Sequence, residues 1–300
     1  MARRRGLRRL VPAMAGLLLA GLATACSGGS PPPAQGLPAV TVGPSGTTAD
    51  APSADPTGDP TVSPTVDGSS TMPARPAGLQ GKIVTIDPGH NGGNSSHGAE
   101  ISHEVDIGNG SKECDTTGTE TDAGYHESAF ALDVSLRLAA LLRAQGATVV
   151  LTRQNDRGVG PCITERAAIG NRARANAAVS IHGDGAPAAG YGFHVIVPRG
   201  IGSNDAIVAP SRRLGTAVRD AFRAGTGEPL STYTGTTTGG LVARSDLGGL
   251  NLSTIPKVFI ECGNMRNAQD AARMTSVAWR QKAAAALAAG LTAYLTSTTS

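Results

Sequence analysis

The sequence predicts an α/β domain built on a largely parallel sheet, and three observations carry that prediction. Short β-branched runs alternate with longer Ala-, Leu- and Arg-rich segments, the order expected of strand–helix–strand units. Three of the apolar runs end in an imidazole or a carboxylate, groups that cost free energy to bury. The composition also changes abruptly near residue 78, so the folded part is shorter than the 300-residue chain.

Residues 1–26 read as a signal peptide: arginines at 3, 4, 5, 8 and 9, an apolar run from Leu10 to Leu22, then small residues. The run is too short for a comfortable membrane span. Ala23-Thr24-Ala25 fits ordinary cleavage, whereas Cys26, ahead of a Ser/Gly/Pro tract, fits a lipidated cysteine; the sequence leaves both open, with lipidation slightly favoured. Residues 27–78 hold eleven of the nineteen prolines, no aromatic residue, and only Asp50, Asp55, Asp59, Asp67 and Arg75 as charges. Such a segment buries too little apolar area to offset its ordering entropy, and is expected to be a disordered linker. The folded domain is expected over 79–300, with its core between Leu79 and Leu295.

KIVTID (82–87) is the first predicted strand. GYHESAFALDVSLRLAALLRAQG (124–146) follows as a helix, with Phe130, Val134, Leu138, Leu141 and Leu142 at helical spacing and Gly146 as its stop. TVVLTR (148–153) is the second strand. A helix TERAAIGNRARAN follows, for which Thr164 is the expected cap, and AAVSIHGD (177–184) is the third strand. GFHVIVP (192–198) reads as an edge or antiparallel strand closed by Pro198, followed by a helix from about Ile207 to Ala224 and a Gly/Thr-rich loop over 225–240. PKVFIECGN (256–264) is the last strand. Residues 276–296, with Trp279, Leu287, Leu291 and Tyr294 on one stripe, form the closing helix.

Between the first strand and its helix lies a long polar connection, 91–123, expected to be a functional loop without secondary structure. Cys114 and Cys162 both sit in polar, Gly-containing loops, so an exported domain is expected to bridge them and to leave Cys262, at the end of KVFIEC, as a buried thiol. Zinc binding by these cysteines is disfavoured because no C-x-x-C spacing exists. The formal charge of +3 includes five leader arginines, so the remainder is slightly acidic; with few aromatic residues, it offers neither a basic patch nor stacking platforms for nucleic acid.

His90 follows KIVTID, His182 follows AVSI and Glu261 follows KVFI. Open α/β sheets gather their sites beyond the carboxyl ends of the strands, so these residues are expected to converge. Glu127 joins them if its helix begins at the same rim. Two imidazoles and a carboxylate make the three-ligand set of a catalytic zinc, and the acid left over becomes a proton acceptor. Spacing alone is a weak signal, since no local H-E-x-x-H box is present and a strand-end His is satisfied by a carbonyl as often as by a metal.

IDPGHNGG, a Glu opening the next helix, SIHGDG and PKVFIECGNMRN together resemble the zinc-dependent N-acetylmuramoyl-L-alanine amidases of the amidase-3 family, compact actinobacterial type, over residues 82–296. The resemblance implies a single domain with a twisted mixed sheet flanked by helices. It implies that His90, Glu127 and His182 hold one Zn2+, that Glu261 is the catalytic glutamate, and that the substrate is the amide joining the muramic acid lactyl group to L-alanine in peptidoglycan. Two departures could reshape the groove without removing a ligand: Asn91 precedes Gly92-Gly93, and the third motif reads His-Gly-Asp where His-Ala-Asn is commoner. His126 is conceivable as a substitute ligand, although neighbours on a helix point about 100° apart.

Asp87 is read either as a partner that orients His90 or as an acid bonding its own turn. His97, His103 and His194 are expected to be solvated or structural, and Arg244 and Asp246 either border the site, as in similar amidases, or form a surface pair. The protein is thus expected to be an exported, monomeric hydrolase of the cell envelope, touching membrane only through a lipid on Cys26. The competing readings are a zinc peptidase or deacetylase on another wall amide, using the same four residues, and a non-catalytic wall-binding protein.

Overall fold

A computed structural model describes residues 78–235 and 238–297. The signal peptide, Cys26 and the linker expected over 27–78 lie, but for Gly78, outside the described residues. Among the described residues no helix is long and apolar enough to cross a membrane.

Six strands form one sheet: β1 (Ile83–Pro88), β4 (Thr148–Leu151), β5 (Ala177–Asp184), β6 (His194–Pro198), β7 (Leu241–Arg244) and β8 (Lys257–Asn264), in the order β4-β1-β5-β8-β6-β7. β4, β1, β5 and β8 are mutually parallel, β6 runs antiparallel to β8, and β7 is parallel to β6. This is the mixed, largely parallel sheet that the sequence predicted. Residues 192–198, expected as an edge or antiparallel strand, supply a strand that is antiparallel to β8 but not at the edge. The edge on that side is β7, a four-residue strand that the Gly/Thr-rich approach conceals in the sequence.

Strand alternation sorts the residues into two faces. Val84 and Ile86, Val179 and Ile181, Val258 and Ile260 are wholly buried on one side. They pack with helices α2 (Glu127–Ala144), α4 (Asp205–Thr226) and α7 (Val277–Thr296), whose Phe130, Leu138, Val218, Phe222, Leu287 and Leu291 belong to the same cluster. The residues between them point the other way: Thr85 and Asp87 on β1, Ser180 and His182 on β5, Lys257, Phe259 and Glu261 on β8. That second face meets α3 (Ile163–Arg172) and the short α5 (Gly248–Asn251). Asp87, His182, Lys257 and Glu261 therefore share one side, while the Cys262 thiol lies in the core on the other.

Two further expectations need correction. Thr164 does not cap α3: the cap position is Cys162, held by its disulfide to Cys114, and Thr164 lies inside the first turn. The 91–123 connection is not structureless: it contains a 3-10 turn at Asn94–Ser96, the single helical turn α1 (Gly98–Ile101) and a hairpin of β2 (Glu104–Asp106) with β3 (Ser111–Glu113). A helix before the closing one, α6 (Ala268–Thr275), was also missed, although Asn267 caps it by accepting from the amides of Gln269 and Asp270. The Cys114–Cys162 bridge and the buried free Cys262 are as expected.

Candidate metal centre

His90 leaves β1 two residues beyond Pro88, after the Gly89 amide has donated to the Ile181 carbonyl at 3.0 Å and so tied the strand exit to β5. A Cβ on Gly89 would stand 2.4 Å from the His182 ring, so only glycine lets the two histidines come this close. The rings meet edge to face, with centroids 5.0 Å apart, and His182 is backed by Phe259 in a stacked contact at 5.3 Å.

Glu127 is the first residue of α2, where the helix dipole favours a carboxylate. Its Oε1 lies 2.9 Å from His182 Nδ1 and accepts from the Gly183 amide at 3.2 Å; its Oε2 lies 3.3 Å from His90 Nε2 and accepts from the Thr119 amide at 3.0 Å. One donor atom from each of His90, Glu127 and His182 falls within 4.8 Å of the others, which makes the trio able to hold a metal ion. Glu261 is opposite His182 in the β5–β8 register and opposite His194 in the β6–β8 register. The structure therefore brings together all four residues singled out in the sequence.

The electrostatics ask for a cation. Burial opposes charge on His90, but Glu127 and Asp115 outweigh it and raise this imidazole well above its ordinary pKa. Burial likewise works against the Glu127 carboxylate, and the facing histidines nonetheless hold it far below the usual range. Glu261 is pushed well up, first by burial and then by the negative charges of Glu127 and Asp184, and its Oε2 is buried with no hydrogen-bond partner. A buried carboxylate oxygen without a partner, beside the negatively charged Glu127, suits a site built around a positive ion.

His90 and His182 wall two cavities. One, of about 260 Å³, is open and lined by Thr116–Thr119, Gly183–Gly185 and Glu261; the other, of about 150 Å³, is more enclosed and lined by Phe259, Ile163 and Leu247.

The remaining candidates fall elsewhere. Asp87 neither orients His90 nor bonds its own turn: it is buried at the centre of an ion network with Lys257 Nζ at 3.1 Å, Arg166 Nη1 at 3.0 Å and the hydroxyls of Ser180 and Thr152 at 2.6 and 2.7 Å. The residue that does face His90 Nδ1 is Asp115, at 3.2 Å. His126 points away from the centre, exposed and paired with Glu120 at 3.1 Å. His97 and His103 bond backbone carbonyls of their own turns. His103 also lies near Cys114 and Cys162, but those sulfurs are bonded to each other. His194 is buried rather than solvated, edge-on to Tyr233, and burial lowers its pKa to about 4. Arg244 and Asp246 form a half-exposed pair at 2.6 Å. Sequence reasoning passed over Arg166, although it shares the spacing of Ile163, Ala167 and Gly170 on α3, and an arginine on a buried stripe implies a buried acid to meet it.

Residues 84–293 match the family model described as N-acetylmuramoyl-L-alanine amidase. The chain belongs to the N-acetylmuramoyl-L-alanine amidase family. An N-acetylmuramoyl-L-alanine amidase of Mycobacterium tuberculosis is 44% identical over 227 residues, covering 75% of this chain and 91% of its own. Among solved structures, the N-acetylmuramyl-L-alanine amidase Ami1 of Mycobacterium smegmatis has a TM-score of 0.69 at 44% identity, covering 74% of this chain and all of its own. Ami1 of Mycobacterium abscessus has a TM-score of 0.67 at 45% identity, covering 73% of this chain and all of its own. Family membership thus coincides with the part of the chain that forms the sheet and carries all four site residues.

Proposed function

We propose that this protein is a zinc-dependent amidase that hydrolyses the bond between the muramic acid lactyl group and L-alanine in peptidoglycan. The observation that carries the reading is the convergence of His90, Glu127 and His182, within 4.8 Å, beside a buried Glu261 whose Oε2 has no partner, in a chain of this family. His90, Glu127 and His182 would hold the ion; two imidazoles and one carboxylate suit zinc and leave a fourth position open. A bound zinc would supply Lewis-acid polarisation of the scissile carbonyl and a water of near-neutral pKa.

The chain's own residues do the rest. With a cation in the site to offset the burial and negative neighbours that raise its pKa, the Glu261 carboxylate would take a proton from the attacking water and return it to the departing amine of L-alanine. Phe259 stacks on His182 with ring centroids 5.3 Å apart and so holds the plane of that imidazole. The open cavity beside Glu261 gives the glycan-linked amide its approach.

We further propose that the protein acts as a monomer outside the cytoplasm, in the cell envelope, exported by its leader and either released or held by a lipid on Cys26. The Cys114–Cys162 disulfide supports export, since such bonds persist in oxidising compartments. The test is digestion of purified peptidoglycan with product identification by mass spectrometry. Release of stem peptides that begin with L-alanine supports the assignment; cleavage only within the peptide, or loss of acetyl groups alone, refutes it.

A further inference from the structure

The acid that faces His90 from outside the trio comes from the hairpin segment rather than from the sheet. His90 Nδ1 is 3.2 Å from Asp115 Oδ1 and 3.1 Å from the Thr116 carbonyl oxygen. Both are acceptors, so Nδ1 donates to them, which leaves Nε2, facing Glu127 Oε2 at 3.3 Å, as the nitrogen that would ligate an ion held by the trio.

Asp115 is itself gripped. Its Oδ1 accepts from the Thr116 amide at 2.8 Å, and its Oδ2 from Arg166 Nη2 at 3.2 Å. The same guanidinium bonds the His90 carbonyl at 2.9 Å, the Pro88 carbonyl at 2.6 Å and Asp87. One buried arginine therefore holds both the backbone of His90 and the acid that orients its ring. That backbone needs holding: His90 has φ +54°, a left-handed conformation that costs a residue carrying a Cβ roughly 1–2 kcal/mol and persists only where its surroundings enforce it.

The disulfide ties the two halves of this clamp together. Cys114 immediately precedes Asp115, and Cys162 precedes the helix that carries Arg166 one turn later. The Ile163 amide donates to the Cys114 carbonyl at 2.8 Å beside the bridge.

We propose that Asp115 is a positioning residue for metal binding, fixing the tautomer and rotation of His90, and that Arg166 and the Cys114–Cys162 bridge keep it in place. Breaking the bridge then weakens metal binding in a protein that is still folded. The inference rests on the reading of His90, Glu127 and His182 as metal ligands. Partners that orient a ligating histidine typically contribute about 10–100-fold in metal affinity.

The experiment is zinc affinity, measured by competition with a chromophoric chelator, on the wild type, Asp115→Ala, Asp115→Asn and the double Cys114→Ser/Cys162→Ser variant. Each is accompanied by thermal unfolding of the metal-free protein and by the absorption spectrum of the Co2+-loaded form. Asp115→Ala is expected to bind zinc about 10–100-fold more weakly, with an altered Co2+ spectrum and a cooperative metal-free transition retained. The double serine variant is expected to lose affinity in the same direction. A folded Asp115→Ala variant with affinity within twofold of wild type and an unchanged Co2+ spectrum overturns the role of Asp115. If that variant does not fold, the isosteric Asp115→Asn is judged by the same criterion. Wild-type affinity in the double serine variant overturns the role of the bridge. A wild type that binds no zinc instead defeats the metal-site reading on which the inference stands.

Discussion

Replacing Asp87 by alanine removes a carboxylate shared by two buried cations, Lys257 and Arg166. Lys257 is 2% exposed and its Nζ bonds Asp87 at 3.1 Å; Arg166 is 4% exposed and keeps Asp115 and several carbonyls when Asp87 is lost. The penalty therefore falls mainly on Lys257, left charged in the interior. Breaking a buried pair this way costs about 3–5 kcal/mol, and the hydroxyls of Ser180 and Thr152 lose an acceptor as well. For a domain of this size a loss of about 4 kcal/mol lowers Tm by roughly 8–16 °C. Urea unfolding and thermal scans at pH 7 read it directly. Burial opposes the Asp87 carboxylate, but Lys257 and Arg166 more than offset it and hold the group far below its ordinary 3.8. Its contribution is then present above pH 3.8 and fades as the pH falls below, so wild type and variant should converge in acid. An apolar pair, Asp87→Leu with Lys257→Met, should recover at least part of the loss because it leaves no lone buried charge. A change below about 1 kcal/mol for Asp87→Ala would refute the view that this network holds the polar face of the sheet together.

Glu228, 1% exposed, gives an opposite pH dependence: burial and the adjacent Asp270 push it up to about 8 despite Arg273, so stability should fall as pH rises from 4.5 to 8. Glu228→Gln should flatten that slope in thermal unfolding; an unchanged slope would show that the pair carries no retained proton. Gly118 has φ +73°, and a Cβ there would lie 2.8 Å from Glu127 Oε2 and 2.9 Å from His90 Cδ2. Gly118→Ala is therefore expected to lower zinc content after dialysis at least tenfold, and full retention would argue against a tight fit of this segment over the trio.

The parts of this fold that the sequence made legible are those where burial and chemistry conflict locally. KIVTID, AVSI and KVFI announce buried strands, and a His or Glu directly after such a run has few reasons to be there. Convergence then follows from parallel strands ending at one rim. What stayed hidden depends on partners distant in sequence. Nothing around Asp115 in a polar stretch says that it will meet His90, and Asp87 reads only as a partner of His90 or of its own turn because its four partners come from β4, α3, β5 and β8, or their immediate ends. β7 was missed because four residues after a Gly-rich approach carry almost no alternation. α6 does carry a readable signal, the Asn267 side chain that caps its first turn.

The central claim is most directly tested by zinc content and peptidoglycan turnover measured side by side on wild type, His182→Ala and Glu261→Gln. The account predicts one zinc per wild-type chain, loss of most metal in His182→Ala, and in Glu261→Gln full metal with turnover reduced by about two orders of magnitude or more. A Glu261→Gln protein that cleaves the wall at the wild-type rate, or a wild type fully active without metal, would contradict it.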